Sequence, residues 1–127
     1  MRHLRTKAVA CCAVVLVLAG WAPVWAHHGE ANYNTDKVVT VTGKVADFQF
    51  INPHVLIYLD VKSEGGGVTR WVGEATSPNF LLRRGWDKDT IKVGDVVSAS
   101  GHQAKNGSPT MRLLKVVLPD GREMRDL

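Results

Sequence analysis

Cysteine is nearly absent: 127 residues hold two, the adjacent Cys11 and Cys12. Both fall inside an apolar stretch near the start of the chain, and they precede most of that stretch rather than follow it, which is the wrong place for lipid attachment. Everything downstream is free of cysteine, so disulfides, thiolate metal sites and cysteine nucleophiles are excluded there. The chain also lacks a glycine-rich phosphate loop, a nucleophile motif and a pair of carboxylates at a credible catalytic spacing. Ser77, Ser98 and Ser100 have no base beside them in sequence. No internal repeat and no low-complexity tract occurs. A strong excess of one charge is missing as well. Three of the 16 basic residues (Arg2, Arg5 and Lys7) and none of the 12 acidic ones precede residue 27, so the remainder carries 13 against 12. That balance does not describe a nucleic-acid-binding surface.

What is present begins with a targeting segment. Arg2, Arg5 and Lys7 form a positive start, Ala8 to Gly20 is an uncharged apolar run, Pro23 breaks it, and Val24-Trp25-Ala26 supplies small residues at a cleavage position. This is the layout of a secretory signal peptide. The competing reading is a membrane anchor, since the run with its Trp and Pro approaches the roughly 20 residues needed to span; Pro23 and the Ala-His junction favour cleavage after Ala26. The expected organisation is therefore a leader over residues 1–26, a flexible polar arm over 27–36 (HHGEANYNTD) and one domain over 37–127, in the periplasm or secreted. No membrane span is expected in the processed chain.

The domain reads as a run of short strands. Val38 to Phe50 alternates apolar and polar residues, with Gly43 in its middle marking a bulge or sharp bend. Asn52-Pro53 punctuates. Val55 to Val61 places Val55, Ile57, Leu59 and Val61 on one face. Gly65-Gly66-Gly67 is a turn, and Val68 to Thr76 sets Trp71, Gly73 and Ala75 on one face. Ser77-Pro78 opens a helix with Ser as N-cap and Pro at the first position; it is expected to run from Asn79 to Arg84, with Arg83 and Arg84 in its last turn and Gly85 as its stop. Val96 to Gly101 and Met111 to Leu118 are the last two strands, separated by the turn Lys105-Asn106-Gly107. Asp120-Gly121 is a further turn before a charged tail. Three strands, a short helix and two strands predict an all-β fold, a small five-stranded OB-fold-like barrel, with a different small sandwich or roll as the alternative. OB-folds serve many functions, so the fold does not choose among them.

The chemistry lies at the expected cleavage site. A cut after Ala26 leaves a chain starting His27-His28. A free α-amine and the imidazole of the same first residue can close a chelate ring on a metal ion, and a further imidazole completes a T-shaped nitrogen set, the histidine-brace arrangement. Alternatively the amine, the His28 amide and the His28 imidazole bind Cu(II) in a plane. Nitrogen ligands in tetragonal geometry favour copper. The amine titrates near about 7.7–8.0 and imidazole near about 6.5, so both are free for a metal near neutral pH. The contrary reading is a polar, disordered chain start.

The remaining downstream histidines, His54 after Asn52-Pro53 and His102 after Gly101, are the candidates for a further ligand. Both sit on loops expected to border the ligand cleft, and an arm of about ten residues reaches about 30 Å. Each alone also reads as an ordinary loop histidine. Glu30, Asp36 and Glu74 are candidate carboxylates, which would suit zinc as the lesser alternative. Met111 and Met124 would suit Cu(I), although isolated methionines in β proteins usually pack. Trp71, Glu74 and Trp86 form a candidate ligand face, set against the plainer reading of the tryptophans as core and cap residues. Arg83-Arg84 reads as an anion site or, more plainly, a solvated helix end.

Several short motifs occur in a fixed order: His27-His28-Gly29, Phe48-x-Phe50-Ile51-Asn52-Pro53-His54, Trp71-x-x-Glu74, Ser77-Pro78 with Leu81 and Leu82, Arg84-Gly85-Trp86, and Val93-Gly94-Asp95. Together they resemble a bacterial family of small exported proteins, domain of unknown function 6152, over nearly the whole processed chain. The resemblance implies an exported single-domain protein and brings no catalytic assignment. It implies that the family's histidines correspond to His27, His28 and His54, which favours His54 over His102. The family's aromatic two residues before Asn52 is typically Trp; here it is Phe50, which keeps packing but removes an indole N–H.

The expectation is an exported binding protein that takes copper through its N-terminal histidines. The alternative, of a different class, is a non-catalytic module that binds a periplasmic protein or small ligand, with incidental histidines. A copper-dependent oxidase ranks third. No catalytic residue is expected.

Overall fold

Alternation between apolar and polar residues sets most of the chain as strands, and the computed structural model describes residues 28–126. The expected leader, Cys11, Cys12 and His27 lie outside the described residues. The elements are α1 (His28–Ala31), β1 (Tyr33–Gln49), β2 (Leu56–Lys62), β3 (Val68–Glu74), α2 (Pro78–Leu82), β4 (Val96–Ala104), β5 (Thr110–Val117) and β6 (Glu123–Arg125). The protein is mainly β with two short helices. Its six strands pair in the order β3-β2-β1-β4-β5-β6. All of these pairings are antiparallel, and β3 additionally pairs with β5 in parallel through Val72, Gly73 and Glu74. β3 and β5 thus meet although they are far apart in the sheet order.

β1 is the longest strand because it serves two partners. It pairs with β4 from Val38 to Lys44 and with β2 from Lys44 to Gln49, so Lys44 faces both Val96 and Asp60. Gly43 sits at this handover. A Cβ there would lie 2.8 Å from the Asp60 carbonyl oxygen and 2.9 Å from a Val61 methyl, so the missing side chain is what lets β2 approach. The irregularity expected at Gly43 falls just after it, between Val45 and Asp47. A second register shift separates Ser100 from Gly101 in the β4–β5 pairing.

The core follows the pleat. Val45, Val55, Ile57, Leu59, Ala75, Leu81, Trp86, Val97, Ala99, Met111, Leu113 and Val116 are buried in one cluster, with Trp71, Phe48 and Phe50 packed against it. The faces expected for β2 and β3 are those observed. Trp86 presents no ligand face: it is buried to 1% exposure, and its Nε1 donates to the Arg125 carbonyl at 3.0 Å. Met111 and Met124 belong to the same core, which leaves neither sulfur for a surface metal.

Several expectations of local structure change. The strand begins at Tyr33 rather than Val38, because Tyr33 pairs with Ala104, and residues 28–31 form one helical turn ahead of it. The second helix ends at Leu82. Gly85, at φ +84°, takes the left-handed position, while its N–H bonds the Leu82 carbonyl and the Trp86 N–H bonds that of Leu81, the closure of a Schellman motif. Gly85 is thus the expected stop, and Arg83 and Arg84 lie in the closing turn, with their guanidinium carbons 5.6 and 4.5 Å from the Phe80 ring centroid. Ser77 is at the N-cap position, but its side chain makes no capping bond. The tail is not merely charged: the Asp120-Gly121 turn returns the chain to form β6 on β5.

Candidate functional site

The site is built where the β1–β2 loop, the end of β3 and the N-terminal segment converge. His54 follows the cis Asn52–Pro53 bond and immediately precedes Val55. The Val55 N–H donates to the Thr76 carbonyl at 3.1 Å and the Ala75 N–H to the Val55 carbonyl at 2.9 Å, so the loop carrying His54 is zipped to the chain leaving β3. That zipper brings the His54 Nδ1 into direct contact with Glu74 Oε1. The second carboxylate oxygen of Glu74 accepts a bond from the Tyr33 hydroxyl at 3.0 Å.

Three residues from three strands or loops thus form one relay, Tyr33–Glu74–His54. Both oxygens of Glu74 are engaged, which makes it a holder of His54 rather than a free ligand. With Nδ1 committed to the carboxylate, Nε2 is the nitrogen left to accept. His54 is half exposed at 51%, while Glu74 is at 26%, so the relay runs from a buried phenol outward to an accessible imidazole. Burial first, and then the Glu74 carboxylate, push the Tyr33 phenol up to about 12, against a smaller opposing effect of Arg112.

The relay borders a pocket of about 390 Å³ whose lining includes Gly29, Glu30, His54, Glu74, Phe80 and Arg112. Gly29 and Glu30 belong to α1 and directly follow His28, its first residue. The segment is tied down by the Lys105 N–H, which donates to the Asn32 carbonyl at 2.8 Å, and by the Tyr33–Ala104 pairing. Arg112 does not make the pocket cationic, because its Nη1 is paired with the buried Asp126 at 3.0 Å. Glu30 and Glu74 place two carboxylates in the lining, and Glu74 is the one held against His54. A second cavity, near Asp89, Asp95 and Asp120, has its charges spoken for: Asp120 pairs with Arg122 and Asp95 caps the Lys92 N–H.

The other expected ligands separate. His102 is not in the pocket lining; its Nδ1 lies 3.1 Å from the Lys37 carbonyl, on the β1–β4 pairing. Asp36 stays exposed on β1. Trp71 is half-buried against the core, away from the pocket lining. Among the described residues, no three His, Cys, Asp or Glu side chains cluster as a metal site; His54 and Glu74 stand as a pair. Among those residues no helix is long and apolar enough to cross a membrane. Sequence reasoning missed Tyr33, Arg112 and Asp126. Tyr33 is an aromatic in an otherwise polar stretch, and Arg112 interrupts an apolar strand at an outward position, so each carried a faint signal. Asp126 carried none.

The fold and site define a mainly β protein with a phenol–carboxylate–imidazole relay at the rim of a small pocket. The chain belongs to the family of unknown function DUF6152, whose match covers residues 14–112 and so includes Tyr33, His54, Glu74 and Arg112. No curated protein matches the chain significantly.

Proposed function

We propose that this is an exported copper-binding protein whose site joins the N-terminal histidines to His54. In this reading the leader is removed after Ala26, the chain is delivered to the periplasm or secreted, and the domain is a five-stranded OB-like barrel. The single observation that carries the reading is the placement of Gly29 and Glu30 in the lining of the pocket that holds His54 and Glu74. A chain beginning at His27 has its amine only a few residues from that lining.

The donor set suits the metal. A carboxylate on one ring nitrogen of a ligating histidine fixes the ring and raises the basicity of the other nitrogen; Glu74 stands in that relation to His54. The α-amine, the His27 imidazole and the His54 Nε2 would supply a nitrogen-only set, which favours copper over harder cations. The pairing of the β1–β2–β3–β5–β4 strands around a ring supports the barrel reading. Zinc is the lesser candidate, since it would accept a carboxylate such as Glu30 beside the same nitrogens.

The test is a Cu(II) titration of exported, processed protein against two variants: His27→Ala, and one carrying a single extra residue ahead of His27. Tight binding by the processed protein and its loss in both variants supports the reading. Equal affinity in all three removes the amine and His27 from the site.

A further inference from the structure

Asp126 is fully buried, the one charged side chain among the described residues at 0% exposure. It follows β6, beyond the family match at residue 112. Its oxygens are all spoken for. One accepts from the Thr76 hydroxyl; the other accepts from the Thr76 N–H at 3.0 Å and from Arg112 Nη1 at 3.0 Å. The same Nη1 donates to the Glu74 carbonyl at 2.9 Å. Asp126 therefore grips the chain on both sides of Ala75, directly at Thr76 and through Arg112 at Glu74. Thr76 in turn receives the Val55 N–H, next to His54. The carboxylate itself is held by its own backbone: the Asp126 N–H donates to the Leu114 carbonyl at 2.9 Å, and the Arg125 carbonyl accepts from Trp86.

We infer that Asp126 is a positioning residue for the His54–Glu74 pair, a C-terminal clamp that sets the register of both chain segments carrying the site. A core carboxylate serving only stability could bond anywhere in the barrel. This one bonds Thr76 and Arg112, which with Glu74 line the same pocket as His54. Loss of the Asp126 charge releases Arg112 and the Thr76 backbone together, so the Glu74 carboxylate loses its fixed approach to His54 Nδ1. The consequence for metal affinity rests on the copper reading above; the consequence for the His54 ring does not.

The experiment reads both. Imidazole 15N spectra of the metal-free protein, at a pH where neutral imidazole prevails, report the His54 tautomer, and a Cu(II) titration of the same samples reports affinity. Asp126→Asn is compared with wild type, and Thr76→Val, which keeps the backbone N–H and removes only the hydroxyl, serves if the first variant does not fold. The expected result is a dominant Nδ1–H tautomer in wild type, a mixed tautomer in the variant, and copper affinity lower by about tenfold, the lower end of the effect of removing an outer-shell partner. A shifted tautomer in a protein that binds no copper keeps the clamp and discards the copper reading. An unchanged tautomer in a folded variant with a lowered Tm overturns the clamp, whatever the copper titration gives, and leaves Asp126 a structural carboxylate.

Discussion

Tyr33 and Glu74 are 41 residues apart in the chain, yet the phenol donates to the carboxylate at 3.0 Å. That bond ties the segment following the N-terminal histidines to the strand end that holds His54. It joins two features that look unrelated in the sequence: a polar chain start and a lone acid at the end of a β-strand.

Replacing Tyr33 by Phe keeps the buried ring and removes the donor. A hydrogen bond to a charged acceptor is worth about 1.5–3 kcal/mol, so the variant is expected to unfold at lower urea by an amount near the low end of that range. The pH dependence has a definite sign. The Tyr33 phenol is raised from 10.0 to about 12 in the folded protein, so its contribution is complete below pH 10 and declines as pH rises toward about 12. Urea unfolding of both proteins across that window should show their stabilities converging; a constant difference would contradict the assignment.

Glu74→Gln tests the relay from its centre. The amide carries no charge to hold the His54 ring and is a poorer acceptor for Tyr33. Loss of a carboxylate behind a ligating histidine typically costs about 10–100-fold in metal affinity, and a fall of that size in Cu(II) binding is expected, with strand content by circular dichroism unchanged. Unaltered affinity would mean that His54 does not ligate through an oriented ring.

Gly101 and Gly65 make a matched pair. A Cβ at Gly101 would stand 2.2 Å from the Arg112 carbonyl oxygen, whereas one at Gly65 meets nothing within 4 Å. Gly101→Ala must push β4 away from β5 at the register shift, a strain of about 1–3 kcal/mol or more. Gly65→Ala should stay within about 0.5 kcal/mol of wild type. Chemical denaturation of the two variants checks the contrast, and similar midpoints would count against the described β4–β5 pairing.

Much of the strand framework was legible because period-two burial is written directly in residues such as Val55, Ile57 and Leu59, and because Gly66, Gly85, Gly107 and Gly121 mark turns by their positive φ. Glu74 was among the candidate residues as a possible carboxylate ligand and as part of the Trp71-x-x-Glu74 motif. What sequence could not supply was the pairing of β3 with β5, since a parallel contact between distant strands leaves no local pattern. Arg112 and Asp126 reach the site through that contact. The short β6 was hidden for a different reason: its one apolar residue, Met124, stands between Glu123 and Arg125 in a tail that reads as charged. His54 and His102 were indistinguishable by spacing; they are separated by the loop zipper at Val55, a backbone bond that side-chain identity does not encode. Whether His27 begins the chain is a matter of processing, so it was read from the leader alone.

The most direct measurement is Cu(II) paramagnetic resonance on exported, processed protein, wild type beside His54→Ala. The account predicts a single tight copper site with nitrogen couplings, from which the His54→Ala spectrum loses one nitrogen as affinity falls. A copper spectrum identical in the two proteins would contradict it, because the N-terminal histidines would then bind metal without the pocket that Gly29 and Glu30 share with His54.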